Sequence, residues 1–343
     1  MRINQQRSIV CPGGGVGVAA AMRLAAALLV ALGLGGCQTT GGGLDSEKIS
    51  GQDRLVEAQR YQTLGLEESA LAAFTLALQE NPTLTDAVMG VADIQRQRGN
   101  YAQASQMYQR AIELEPASFD AHYYLGLMQQ LMGQVAEAIR TYLRALALNP
   151  QSFDANQHLA SAYMQVGRPA DALPYAVRAT ELNPESQAAW ANLAATYSLL
   201  SQFEEAVDAY RQAAELGEIP EPVMLGLADA HIRLGNFERA VNVLETLLRI
   251  NPTSLAHERM GYAQFKMRLY PESLASFRTS LRMNPAETAA LNGAGVVLMT
   301  IYIQGNRADT ALRDEAITAW RKSVQLHPRQ PRILDLISRY QRL

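Results

Sequence analysis

Two cysteines and five histidines are the side chains of this 343-residue sequence best suited to nucleophilic or metal chemistry. The histidines, His122, His158, His231, His257 and His327, are scattered. None stands in an HExxH pair, beside a cysteine or in a nucleophile elbow, so the sequence spells out no zinc site and no catalytic triad. The carboxylates are dispersed as well. Asp86, Asp120 and Asp154 recur 34 residues apart, where they are expected to start helices, cap them and complement their dipoles. The GGGVG run from Gly13 lacks the Lys-Ser/Thr that completes a phosphate loop. Cys11 and Cys37 both lie in the N-terminal leader, which excludes a disulfide framework. What chemistry remains belongs to Cys37. It follows the apolar run from Leu24 to Leu34, eleven residues that are too few to span a bilayer and fit the core of a signal peptide.

The four residues Leu34-Gly35-Gly36-Cys37 resemble the lipobox of bacterial lipoproteins. The resemblance implies a signal peptide over residues 1–36, cut by signal peptidase II before Cys37. The cysteine thiol then carries a diacylglycerol and its amine is acylated. Two or more acyl chains, at ~0.8 kcal/mol per buried CH₂, give lasting membrane attachment. Gln38 follows, and in lipoproteins of two-membrane bacteria the absence of Asp there implies transfer to the outer membrane. The expected location is therefore the periplasmic face of that membrane. A start at Met22 would leave a compact signal of charge, apolar run and cleavage site, and we expect Met22 to be the true start. Residues 37–50 are polar and Gly-rich, and read as a flexible lipid-anchored tether of on the order of 20 Å.

The formal net charge is −3, and from Cys37 onward 27 bases face 33 acids. That sign argues against a nucleic-acid binder, which needs surplus Lys and Arg to displace counterions. Hydrophobic residues at 48% and charged residues at 18% suit a folded chain, while β-type alternation is almost absent. The length exceeds what one core usually serves, so a stack of small units is the alternative.

The elements announce themselves by punctuation. Pro82, Pro116, Pro150 and Pro184 are each 34 residues apart, and Pro252 falls two periods later. Pro285 follows at 33 residues and Pro328 at 43, one period plus nine. Gly65, Gly99, Gly133, Gly167 and Gly235 mark a second phase, with Ser201 filling the gap. Two marks per period describe a helix–turn–helix repeat. Glycine suits the left-handed residue after the first helix, and proline stops the second.

Small residues complete the pattern. Counting each repeat from its first helical residue, position 8 reads Ala58, Ala92, Gly126, Ala160, Ala194, Ala228, Gly261 and Gly295. Position 20 is Ala or Ser throughout, and position 27 is Ala until it loosens to Leu247, Ser280 and Ser323. Position 24 is aromatic at Phe74, Tyr108, Tyr142, Tyr210, Phe277 and Trp320, with Ala176 and Leu244 departing. In these respects the chain resembles the tetratricopeptide-repeat family. The resemblance implies an all-α fold, a right-handed superhelix (α-solenoid) of about eight repeats over residues 51–328. A C-terminal capping helix over 329–343 is expected to close it, through a stripe of Ile333, Leu336, Ile337 and Tyr340. Pro174 is expected to kink its helix, Ile219-Pro220-Glu221-Pro222 to stiffen one junction, and the nine extra residues around Gly305–Asp314 to lengthen a turn.

In this family the first helices line a concave groove, chiefly through positions 2, 5, 9 and 12. Carried over, these give Met89, Asp93 and Arg96, then Tyr123, Leu127 and Gln130, then Gln157, Ser161 and Met164. Ala191, Ala195 and Ser198 follow, then Leu225 and Asp229, then Glu258, Tyr262 and Phe265, then Asn292, Val296 and Met299. Such a mixture of Met, Tyr and apolar groups suits an extended or helical protein segment. The Lys and Asn clamp that chaperone-binding members use is missing, since positions 5 and 9 hold Met89 and Asp93, Tyr123 and Leu127, Gln157 and Ser161. His122 and His158 are expected to be polar groove or surface residues. No cofactor beyond the covalent lipid on Cys37, no metal and no small-molecule substrate is called for. The expected role is a non-enzymatic, membrane-anchored scaffold that binds protein partners in the bacterial envelope, resembling lipoproteins that assist pilus or secretin assembly. The alternative is an adaptor recruiting an envelope enzyme, such as a peptidoglycan hydrolase, a protease or a glycosyltransferase.

Overall fold

A computed structural model describes residues 50–341. The expected signal peptide and tether, with Met22 and Cys37, fall on residues 1–49, outside the described residues. Among the described residues every regular element is a helix. The first repeats are α1 (Gly51–Thr63) with α2 (Glu67–Glu80), and α3 (Thr85–Gln97) with α4 (Tyr101–Leu114). Next come α5 (Phe119–Leu131) with α6 (Val135–Leu148), and α7 (Phe153–Gln165) with α8 (Pro169–Leu182). Then follow α9 (Gln187–Leu199) with α10 (Phe203–Glu215), and α11 (Glu221–Arg233) with α12 (Phe237–Ile250). The last are α13 (Ser254–Lys266) with α14 (Tyr270–Met283), α15 (Thr288–Gln304) with α16 (Thr310–Leu326), and α17 (Pro331–Gln341). None is long and apolar enough to cross a membrane.

The helix ends follow local rules. Gly65, Gly99, Gly133, Gly167 and Gly235 take φ between 70° and 77°, which lets the next amide fold back, as Leu66 N–H does onto Tyr61 O at 2.9 Å. Ser201 and Arg268 fill the same slot at φ 61° and 63°, at a cost of roughly 1–2 kcal/mol each relative to glycine. Five of the eight first helices are capped by serine or threonine, whereas α3, α11 and α15 begin at Leu84, Pro220 and Glu287 with no side-chain cap. Ser118, Ser152, Ser186 and Thr253 each accept an amide N–H three residues on. Asp120 and Asp154 are thereby displaced from capping, and Asp86 lies inside α3 behind an uncapped Leu84, so none of the three caps. They sit within the first turn, where only the dipole interaction remains to them.

Seams between repeats are built from the small residues. The alanines at positions 8 and 20 are buried, and Ser273, in the same register, satisfies its buried hydroxyl by donating to Gly261 O at 2.7 Å. A second device recurs at position 4. His122 Nε2, Asn156 Nδ2 and Trp190 Nε1 each meet the carbonyl of the proline that ended the preceding repeat, Pro116, Pro150 and Pro184, at 3.1, 3.2 and 2.8 Å. A proline cannot continue the helix, and this donor takes the carbonyl left over.

The two ends are closed differently. Positions 3, 7 and 10 are Ala87, Val91 and Ile94 in repeat two, packed on the preceding repeat, but exposed Asp53, Glu57 and Arg60 in repeat one. A charged face there needs no cover. At the other end α17 keeps the register of a ninth first helix. Ile337 is buried, and Ile333, Leu336 and Tyr340 pack on the core of repeat eight.

The insertion in repeat eight does not simply lengthen a turn. Both α15 and α16 have 17 residues, where earlier repeats pair 13 with 13 or 14. About one helical turn added to each arm preserves which faces meet, and backbone amides stay paired. At the junction before α11, α10 stops at Glu215, and Gln187 Nε2 takes the carbonyls of Ala213 and Glu218 at 2.9 and 3.0 Å. Helix α8 runs without a break through Pro174.

Candidate functional site

First helices of neighbouring repeats touch one another, as α5 with α7, α7 with α9, α9 with α11 and α11 with α13. The second helices of neighbouring repeats make no contact of that extent. The stack therefore curves toward its first helices, which form the inner wall. Most of the predicted wall residues lie there half-buried: Met89, Asp93, Arg96, Tyr123, Leu127, Gln130, Gln157, Ser161, Met164, Leu225, Asp229 and Phe265. Only Tyr262 among them is well exposed, while Glu258 and Met299 are buried. Position 5 in repeat seven is closed over by Arg259, and α15 draws Met299 into the apolar core of repeat eight.

Repeats two to four are joined by rings. The aromatic residue at position 24 of one repeat lies against position 6 of the next. Tyr108 stacks on Tyr124 with centroids 5.6 Å apart, and Tyr142 stacks on His158 at 6.0 Å. Tyr123 touches both Tyr124 and His158, at 5.0 and 5.9 Å, and Phe119 stacks on Tyr123 at 5.9 Å. Burial holds the His158 imidazole below its ordinary pKa, partly opposed by Asp154. Arg96 ends the row, its guanidinium 4.8 Å from the Tyr124 centroid. It pairs with Asp93 at 3.3 Å, and Tyr108 donates its hydroxyl to Asp93 at 2.6 Å. Burial first, then Asp93, drives the Tyr108 hydroxyl well above its usual range. Gln130 is tied in by Tyr142, whose hydroxyl donates to it at 3.0 Å, and Met164 by Thr196 at 3.2 Å.

In repeats two, six and eight position 6 is glycine. An added Cβ would lie 2.3 Å from the ring of Phe74 at Gly90, of Tyr210 at Gly226 and of Phe277 at Gly293. Where position 24 shrinks to Ala176 or Leu244, position 6 holds Asn192 or Arg259. Arg259 links two carboxylates, Asp229 at 2.7 Å and Glu258. Burial raises the pKa of both acids above their ordinary values, with Arg259 pulling the other way. Beside them opens a cleft of about 520 Å³, lined among others by Phe203, Tyr210, Gly226, Asp229, Arg259 and Tyr262. Arg233 lies over Phe203 and Lys266 over Tyr262, at 5.2 and 5.4 Å.

Several residues of this wall escape a reading by positions 2, 5, 9 and 12. Tyr124, His158 and Arg259 stand at position 6, and for Arg259 alone the departure of position 24 to Leu244 was an available signal. The expectation for His122 needs correction too. His122 and His231 are buried, and His158 lies between two tyrosines. His122, at position 4, faces the proline of the preceding repeat rather than solvent. Ser198 Oγ and Gln157 Oε1 are buried without a partner. Among the described residues no three His, Cys, Asp or Glu side chains converge.

An inner wall of this kind on stacked 34-residue hairpins defines a protein-interaction scaffold. The family model described as the Cilia and flagella-associated protein 70 C-terminal domain matches residues 19–295, and the chain belongs to that tetratricopeptide-repeat family. No curated protein matches the chain. Among solved structures it is similar to pilF of Pseudomonas aeruginosa, at 19% identity and a TM-score of 0.51, covering 64% of this chain and 97% of that one. It is also similar to the Cut9–Hcn1 hetero-tetramer of the APC/C, at 16% identity and a TM-score of 0.51, covering 87% of this chain and 57% of that one. At such identities the likeness is one of fold.

Proposed function

We propose that this chain is a lipid-anchored scaffold of the bacterial envelope whose inner wall holds a segment of a partner protein during assembly of a pilus or secretion machine. The observation that carries the binding role is the open cleft at repeats six and seven. There an exposed Tyr262 stands beside the Asp229–Arg259–Glu258 cluster, a mixture of rigid aromatic surface and charged hydrogen-bonding groups that suits a peptide chain. Leu127, Tyr123 and Tyr124 add half-buried apolar and aromatic groups to the inner wall at repeat three. Anchoring rests on Leu34-Gly35-Gly36-Cys37, and the acyl chains would hold the scaffold at the periplasmic face of the outer membrane.

Both parts are open to experiment. Cys37→Ser is expected to abolish incorporation of labelled palmitate and release the protein from the membrane fraction. Retention in membranes without label would remove the anchor from this account. Capture from solubilised membranes then tests the wall. The native chain is expected to retain an envelope protein that the Leu127→Ser/Tyr262→Ala chain loses, and an identical set retained by both would contradict the assignment.

A further inference from the structure

Charge is divided along the array. Repeats one to five, residues 51–220, hold ten bases against twenty acids, whereas residues 221–343 hold sixteen bases against eleven acids. One edge of the stack, formed by the turns between first and second helices, combines this division with apolar knobs. Turns in solvent are ordinarily polar. Here Leu64, Leu66, Leu131, Val166, Leu199 and Leu269 stand on such turns between 40% and 60% exposed. Leu131, Val166 and Leu199 fall on three consecutive repeats in the middle of the array, with Met132 and Leu200 half-buried beside them. A contiguous exposed apolar strip flanked by charge is a mark of an interface.

The flanks tell which partner fits. Toward the N-terminus the edge carries Glu67 and Glu68, which share the single cation Arg98 at 3.2 and 2.7 Å and leave negative charge over. Toward the C-terminus it carries Arg233, Arg239, Lys266 and Arg268 against the two acids Glu238 and Glu272, a net positive flank. A copy of the same edge, turned by half a revolution about an axis through repeat four, lays the basic flank on the acidic one and Leu131 against Leu199. A parallel copy would oppose like charges. We propose that the chain pairs antiparallel with a second copy along this edge, with the two-fold axis near Val166. The contact is isologous, so each copy supplies both halves of the charge match, and the charges fix its register.

Cross-linking of the full chain in native membranes tests this. Val166→Cys treated with a short bismaleimide is expected to give a covalent dimer well above that of the native chain treated in the same way. Ile250→Cys, 73% exposed on the opposite edge, is expected to give none. The yield at Val166→Cys should fall several-fold between ~50 mM and ~500 mM salt, as screening removes the charge match. Adding Lys266→Glu with Arg268→Glu should lower it, and adding Glu67→Lys with Glu68→Lys to that chain should restore it. Equal dimer from Val166→Cys and Ile250→Cys, no dimer from Val166→Cys, a heavier product joined to another protein, or indifference to charge reversal would each overturn the pairing.

Discussion

The joints of repeats two to four and the joint of repeats six and seven occupy equivalent places in the stack and are filled with opposite materials. In the first, Tyr108, Tyr124, Tyr142 and His158 close the space between helices with stacked rings. In the second, Leu244 replaces the ring, and Arg259 with its two carboxylates takes the place beside it. Ring against ring buries area and leaves one titratable group near neutrality, His158. A shared arginine leaves a cleft and two perturbed acids. One repeat architecture thus provides a rigid stretch of wall and an adaptable one, decided by two positions, 24 and 6.

Truncating a ring should have the largest effect. Tyr142→Ala removes a buried ring together with its stack on His158, and is expected to cost about 3–5 kcal/mol. Urea unfolding would read the loss, and hydrogen exchange should locate it in α6 and α7. Gly226→Ala should come next, because its new Cβ would sit 2.3 Å from the Tyr210 ring tip, a misfit of about 1–3 kcal/mol. A wild-type melting profile for Gly226→Ala would mean that the ring is free to leave the joint.

Acid should separate the two regions by sign. The His158 pKa in the folded chain lies below its unfolded value of 6.5, so the unfolded chain takes up the proton first. Stability contributed there is present above pH 6.5 and is lost as pH falls from 6.5 toward the folded value. Protection of α7 against exchange, taken relative to the intrinsic rate at each pH, should fall over that window, and His158→Phe should flatten the response while keeping the stack. Glu258 is shifted the other way, above 4.5, so protonation favours the folded joint as pH falls through its raised value. Glu258→Gln should remove this gain from α13 and leave stability at pH 7 unchanged or slightly improved, the smallest of these effects. The comparison is made against the native chain, because His257 in the same helix is also held down by burial and pulls in the opposite direction.

The helix ends and seams were legible in the sequence because each follows a local rule, such as Gly65 or Gly99 for a left-handed turn and Ala70 or Ala104 for a close approach. The inner wall was legible as a set of positions. Its contents depend on contacts between repeats, which spacing does not encode. Asp93 and Arg96 spend their charges on each other and on Tyr108 rather than facing an open groove. Glu258 stands at a wall position yet is covered, because its neighbour Arg259 fills the gap left by Leu244. The nine extra residues near Gly305 read as a loop because no mark in the sequence says that both helices continue for another turn.

The inner wall as working surface is tested most directly by placing a photo-cross-linking residue, in separate full chains in cells, at Leu127, at Tyr262 and at Leu143 on an outer helix. The account predicts that Leu127 and Tyr262 capture the same protein partner and that Leu143 does not. Capture from Leu143 alone, or equally from all three, would contradict it.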